Sequence, residues 1–120
     1  MSEVQVTIKN ISDPPEKVRL MYEATIKLLQ ERKNLSNVKV IDITKEAGIG
    51  KGTAYEYFSS KNEIVANAVV YEYSNKIQEL VEYTFKHSSF KERFYRVLEW
   101  IYDNRDFNML FMGMLKISFQ

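Results

Sequence analysis

Val40-Ile41-Asp42-Ile43-Thr44-Lys45-Glu46-Ala47-Gly48-Ile49-Gly50-Lys51-Gly52-Thr53-Ala54-Tyr55-Glu56-Tyr57-Phe58 reads as two short helices around a tight turn. Val40, Ile43 and Ala47 recur at three-and-four spacing and give the first helix an inner face. Gly48 supplies a left-handed turn conformation that a residue with a Cβ resists, and Ile49 plugs the corner. Gly50 opens the second helix, where Ala54 and Phe58 lie one turn apart and face inward. Lys51, Thr53, Tyr55, Glu56 and Tyr57 are left for the outside. A short helix with that much polar and aromatic surface, held at an angle by its predecessor, has the shape a DNA major groove accepts.

Helical signals continue on both sides. Asp13-Pro14-Pro15-Glu16 combines a capping residue, a proline for the first helical position and a glutamate at capping-box spacing, so a helix is expected to start there. Val18, Met21, Tyr22, Thr25, Leu28 and Leu29 form its apolar face, and Asn34 ends the pattern. Before it, Val4, Val6 and Ile8 alternate as a strand would, but with no partner strand nearby residues 1–12 are expected to form a flexible arm.

Further along, Ser60-Lys61-Asn62-Glu63 and Ser89-Phe90-Lys91-Glu92 each read as a capping box. The first opens a long helix through Ile64, Ala68, Tyr71, Tyr73, Ile77, Leu80, Val81 and Thr84. The second opens a helix whose core stripe is expected to be Phe94, Val97, Leu98, Ile101 and Tyr102, up to a break near Asn104 and Arg105. Trp100 falls off that stripe and is expected to pack against a neighbouring helix. A sixth helix from Asp106 would present Phe107, Leu110, Phe111, Met114 and Leu115.

Composition excludes several classes. The 120 residues include no cysteine and a single histidine, His87, which removes zinc-ribbon, iron–sulfur and thiol-nucleophile readings. No metal site, cofactor or enzymatic activity is expected, since paired carboxylates in a cleft and a usable histidine pair are also missing. No apolar run approaches the roughly 18 residues of a membrane span, and no signal-peptide layout is present, so a cytoplasmic protein is expected. Residues 9–61 hold ten Lys/Arg against seven Asp/Glu, while residues 62–120 hold seven against eight, so the small basic surplus lies on the helix-turn-helix side. Gly48, Gly50 and Gly52 do not make a phosphate loop. Lys51 is followed by glycine instead of Ser or Thr, Lys45 stands where the first loop glycine belongs, and no strand precedes.

From Ile43 to Ile64 the chain resembles the TetR family of transcriptional regulators, whose pattern runs roughly I-A-x-x-A-G-[VI]-S-x-G-T-[LI]-Y-x-[HY]-F-x-[SN]-K-E-x-[LI]. Ile43, Ala47-Gly48-Ile49, Gly52-Thr53, Tyr55, Tyr57-Phe58, Ser60-Lys61 and Ile64 carry the likeness. Gly50 replaces a common serine, Thr44 a small alanine and Ala54 a larger aliphatic. The resemblance implies an all-α fold: a helix-turn-helix DNA-binding domain over residues 13–60, then a long connecting helix and part of a helical regulatory domain over 61–120.

The same resemblance implies roles at matched positions. Lys51 would read bases, donating to guanine O6 and N7. Thr53, Tyr55 and Tyr57 would meet phosphates through their hydroxyls, and Lys39 and Lys61 would clamp phosphates from the starts of two helices. Gly50 and Gly52 complete the DNA-facing set, and Glu56 either accepts from a cytosine amino group or repels wrong sites. A small apolar effector would contact Phe94, Leu98, Ile101, Tyr102 and Phe111, the alternative being that these are core. The implied partners are a double-stranded palindromic operator and a second copy of the chain. Family members carry more helices than this chain, and its apolar ending from Met109 to Phe119 asks for a cover. A truncated chain or a short variant is therefore expected, with its fifth and sixth helices associating with another copy. A competing reading keeps the helix-turn-helix as scaffold for a protein-interaction module, which the modest net charge allows.

Overall fold

The computed structural model describes residues 6–32, 34–86 and 89–118, the side chains of residues 114–118 excepted. Val4, His87 and Phe119, and the side chains of Met114 and Leu115, lie outside the described residues. Among the described residues six α-helices follow one another: α1 (Glu16–Arg32), α2 (Val40–Ala47), α3 (Lys51–Tyr57), α4 (Lys61–Phe85), α5 (Phe90–Asp103) and α6 (Arg105–Ser118). A 3-10 turn at Leu35–Asn37 separates α1 from α2. The chain divides into two compact units, Met1–Glu72 and Tyr73–Gln120, with α4 contributing to both. None of the helices among the described residues is long and apolar enough to cross a membrane.

The first unit is organised by α1, which packs against α2 and α3. Val18, Met21, Tyr22, Thr25, Leu28 and Leu29 are all buried, as their spacing predicts. Thr25 is accommodated there because its hydroxyl donates to the Met21 carbonyl at 2.6 Å. Tyr22 lies at the centre, with ring centroids 5.9 Å from Phe58 and 5.1 Å from Tyr71. Val38, Val40, Ile43, Ala54, Ile64, Val65, Ala68 and Val69 close the core around it. Each large side chain so buried stabilises the fold by about 1.5–3 kcal/mol relative to exposure.

Two starting expectations change. α1 begins at Glu16, after both prolines, and Asp13 sits at φ 51° without capping it. Proline disfavours helical backbone in the residue before it, so Pro15 keeps Pro14 out of the helix. The Pro15 carbonyl takes the first helical hydrogen bond, from Arg19 N–H at 2.9 Å, and Glu16 pairs with Arg19. The expected flexible arm is also partly tied down. Tyr22 Oη donates to the Lys9 carbonyl at 3.1 Å, and the buried Asn67 amide accepts from Lys9 N–H at 2.6 Å and donates to the Thr7 carbonyl at 2.9 Å.

In the second unit α5 begins as expected, with Ser89 Oγ accepting Glu92 N–H at 3.2 Å. Its expected core stripe is corrected: Phe94, Leu98, Ile101 and Tyr102 are exposed. The packing centre is instead Tyr73, stacked on Phe111 (4.6 Å) and Phe107 (5.7 Å) and edge-on to Trp100 (6.3 Å). Trp100 thus packs on a neighbouring helix, as its position off the stripe suggests. Lys76 bridges the same region, donating to Asn104 Oδ1 at 3.0 Å with its ammonium 5.3 Å from the Phe107 ring.

Candidate nucleic-acid interface

The turn between α2 and α3 is closed by its backbone. Gly48 adopts φ 72°, the left-handed region, and its N–H donates to the Lys45 carbonyl at 3.2 Å. Ile49 N–H reaches back to Thr44 at 3.0 Å. Together these two bonds form the paired six-to-one and five-to-two closure typical of a glycine-ended helix. Gly50 then caps α3 through its carbonyl, which accepts from Thr53 and Ala54, and it offers no side-chain cap.

α3 is consequently divided by face. Ala54 is fully buried and Phe58, just past its end, is 1% exposed, while Tyr55 is 48% exposed. Gly50, Lys51, Gly52 and Glu56 are exposed, and Thr53 and Tyr57 are half-buried. At about 3.6 residues per turn, Glu56 stands opposite the Ala54–Phe58 edge, and Gly52, one turn earlier, shares that outermost line. A Cβ at Gly52 would meet nothing within 4 Å. The outer face is thus bare at its middle and polar around it.

Lys39 occupies the N-cap of α2 and makes no side-chain cap, as expected of a side chain without an acceptor. Asp42 substitutes for it, accepting Lys39 N–H at 3.0 Å. Arg32 ties this helix start to α1, donating to Asp42 Oδ2 at 2.8 Å and to the Asn37 carbonyl at 2.7 Å. The Lys39 N–H and then the Arg32 guanidinium hold the Asp42 carboxyl below its usual range. Lys27 and Glu46 make a second tie between α1 and α2.

Lys61, the expected clamp, is half-buried and its Nζ donates to the Leu35 carbonyl at 3.2 Å. It therefore holds the 3-10 turn as well as marking the start of α4. At that start Ser60 Oγ accepts Glu63 N–H at 3.2 Å, completing one half of the expected capping box. The Glu63 carboxylate turns elsewhere, accepting from Ser59 Oγ at 2.9 Å and pairing with Lys9 Nζ at 3.2 Å. Burial alone would raise its carboxyl. The Ser59 hydroxyl and the Lys9 ammonium outweigh that and leave it below the usual carboxylate range. Lys9 also lies 5.3 Å from the centre of the Phe58 ring. Burial, followed by the neighbouring Tyr71 and Glu63, pushes the Tyr22 hydroxyl up to about 12.

Lys9, Arg32 and Asn67 are thus positioning residues that motif reading does not single out. Asn67 had a readable signal: it interrupts the apolar run Ile64-Val65-Ala66-Asn67-Ala68-Val69, and a polar group on a core face needs partners. It also donates to the Glu63 carbonyl at 2.7 Å. Lys9 and Arg32 carry no comparable local signal.

The expected effector residues are dispersed. Phe94, Leu98, Ile101 and Tyr102 are exposed along α5, and Phe111 is stacked on Tyr73. A surface depression of about 350 Å³ on α5 is lined by Ser89, Lys91, Glu92, Tyr95 and Arg96, none of them in the expected set. Among the described residues there is no group of three or more His, Asp or Glu side chains placed to hold a metal ion.

Residues 22–68, from the buried Tyr22 to the core of α4, match the family model for bacterial regulatory proteins of the tetR family. The chain is 29% identical over 89 residues to an uncharacterized HTH-type transcriptional regulator, YuxN, of Bacillus subtilis (strain 168), which covers 74% of this chain. The match spans 30% of that relative's length. No solved structure matches the chain. The matched residues contain the closed turn and the two-faced α3 described above, so the chain carries, in residues 22–68, a helix-turn-helix domain of the TetR family.

Proposed function

We propose that the chain is a sequence-specific DNA-binding transcriptional regulator, a repressor that places α3 of each of two copies in the major groove of a palindromic operator. The observation that carries this reading is the division of α3: one edge is locked into the core by Ala54 and Phe58, while Lys51, Gly52, Tyr55 and Glu56 stand in solvent. Fold maintenance accounts for the first set and leaves the second unused. Lys51 would donate to base edges. Lys39, Lys61 and the hydroxyls of Thr53, Tyr55 and Tyr57 would hold phosphates and fix the register. Release by a small apolar effector bound in the second unit, and pairing of two copies through exposed apolar faces of α5 and α6, complete the proposal.

Selection of duplexes from a random library, followed by titration at several salt concentrations, tests it. Two lysine clamps per copy in a dimer predict a log–log salt slope of roughly −4. Lys51→Ala should relax base preference, while Lys61→Ala should weaken all duplexes alike. Enrichment of no sequence would overturn the reading. Because Lys61 also holds Leu35, its variant is to be compared at temperatures where folding is complete. A clean monomer by light scattering at high concentration would remove the dimer.

A further inference from the structure

We propose that Glu56 is the residue through which α3 selects a cytosine, an assignment that rests on the DNA-binding reading above. Glu56 occupies the outermost line of α3, opposite the edge that Ala54 and Phe58 bury. It has no ion pair or hydrogen bond among the described residues. That isolation contrasts with the other carboxylates of residues 40–63, which are all paired: Asp42 with Arg32, Glu46 with Lys27 and Glu63 with Lys9. Its place is also unfavourable locally. It lies in the last turn of α3, where free carbonyls disfavour negative charge. In a groove flanked by phosphates the repulsion grows. Among the described residues no cation pairs with it to offset either cost, and a hydrogen-bond donor on the DNA would.

The chemistry narrows the partner. A carboxylate only accepts hydrogen bonds, and the major groove offers donors at the amino groups of cytosine and adenine. On adenine the neighbouring N7 is an acceptor and repels a carboxylate, which leaves cytosine. Gly52, one turn before Glu56, lets the backbone come close: it has no side chain, and a Cβ there would meet nothing of the protein within 4 Å. A short approach brings the carboxylate to the base edge instead of leaving it at phosphate level.

Duplex selection by the full chain as wild type, Glu56→Gln and Glu56→Ala tests the assignment. Wild type should enrich a cytosine at one position per half-site, with roughly a ten-fold loss when it is replaced. Glu56→Gln should shift that position toward adenine, whose edge suits an amide, and Glu56→Ala should flatten it. Replacing the selected cytosine by N4-methylcytosine, which blocks the groove-facing proton, should cost wild type a similar factor and Glu56→Ala nothing. Identical base preferences in wild type and Glu56→Ala overturn the assignment alone. A wild-type chain that enriches nothing overturns it together with the DNA-binding reading.

Discussion

The two units spend their apolar side chains differently. Among the described residues, sixteen of the seventeen buried apolar side chains belong to the first unit, whereas twelve of the fifteen large exposed ones belong to the second. Both have amphipathic helices, so periodicity does not separate them. Closure does: α1 has α2, α3 and the first turns of α4 to bury its face, and polar groups inside that core are paired. In the second unit Tyr73 gathers Trp100, Phe107 and Phe111, while Phe90, Phe94, Leu98 and Ile101 remain on an open side of α5. A helix stripe thus predicts a core only where a second surface is available to meet it.

Matched truncations should expose this difference most strongly. Phe58→Ala removes a ring that is 1% exposed and in contact with Tyr22, and should cost about 3–5 kcal/mol. Phe94→Ala, at a residue 55% exposed, should stay within about 0.5 kcal/mol. Urea unfolding followed by circular dichroism measures both. Equal losses would mean that the α5 stripe is covered in solution.

Asn67 offers the next largest effect, because its amide holds Thr7, Lys9 and the Glu63 carbonyl at once. Asn67→Ala should cost about 1–3 kcal/mol by leaving buried groups unpaired. Hydrogen exchange at the Lys9 amide should quicken before global unfolding. An unchanged Lys9 exchange rate would show that the N-terminal segment is held by other contacts.

These two sites also mark how far the sequence could be read. Helix positions, the Gly48 turn and the inward direction of Ala54 and Phe58 were legible because each depends on neighbours within one or two turns. The docking of Lys9 was not, since Asn67 and Glu63 lie more than fifty residues away and only the folded core brings them together. The exposure of the α5 stripe is not legible for the related reason that periodicity reports a face and is silent about its partner. Within the candidate interface, Lys61 could be located by motif, but its bond to the Leu35 carbonyl depends on a 3-10 turn that no pattern announced. The start of α1 at Glu16 follows a local rule that competes with the capping signal at Asp13, the exclusion of a residue before proline from helix.

Acid should act through the first unit as well. Glu63 has a folded carboxyl held below its ordinary value of 4.5, so the unfolded chain binds more protons as pH falls past that value. Its stabilising contribution is complete above the unfolded value and is lost as pH drops through the folded one. Glu63→Gln should therefore be less stable than wild type at neutral pH and show a smaller further loss on acidification below pH 4.5. Parallel acid limbs for the two chains would place the sensitivity elsewhere, with Asp42 the next residue to replace, since its carboxyl is lowered too.

The smallest effect separates folding from function within one short stretch. Gly48 and Gly52 lie four residues apart, and a Cβ at either would meet nothing within 4 Å, yet only Gly48 has a positive φ, 72°. Gly48→Ala should therefore cost about 1 kcal/mol through backbone strain alone. Gly52 sits in ordinary helical backbone in α3, where glycine is disfavoured, so Gly52→Ala should stabilise by about 0.5–1 kcal/mol. If α3 enters the major groove by its outermost line, that same added methyl should weaken DNA binding, because it stands between the backbone and the bases. Thermal melting and duplex titration on one preparation measure the two effects together. A Gly52→Ala chain that melts higher and binds as tightly would remove close backbone approach as the reason for glycine there. One that melts higher and binds less would assign the cost of this glycine to the groove.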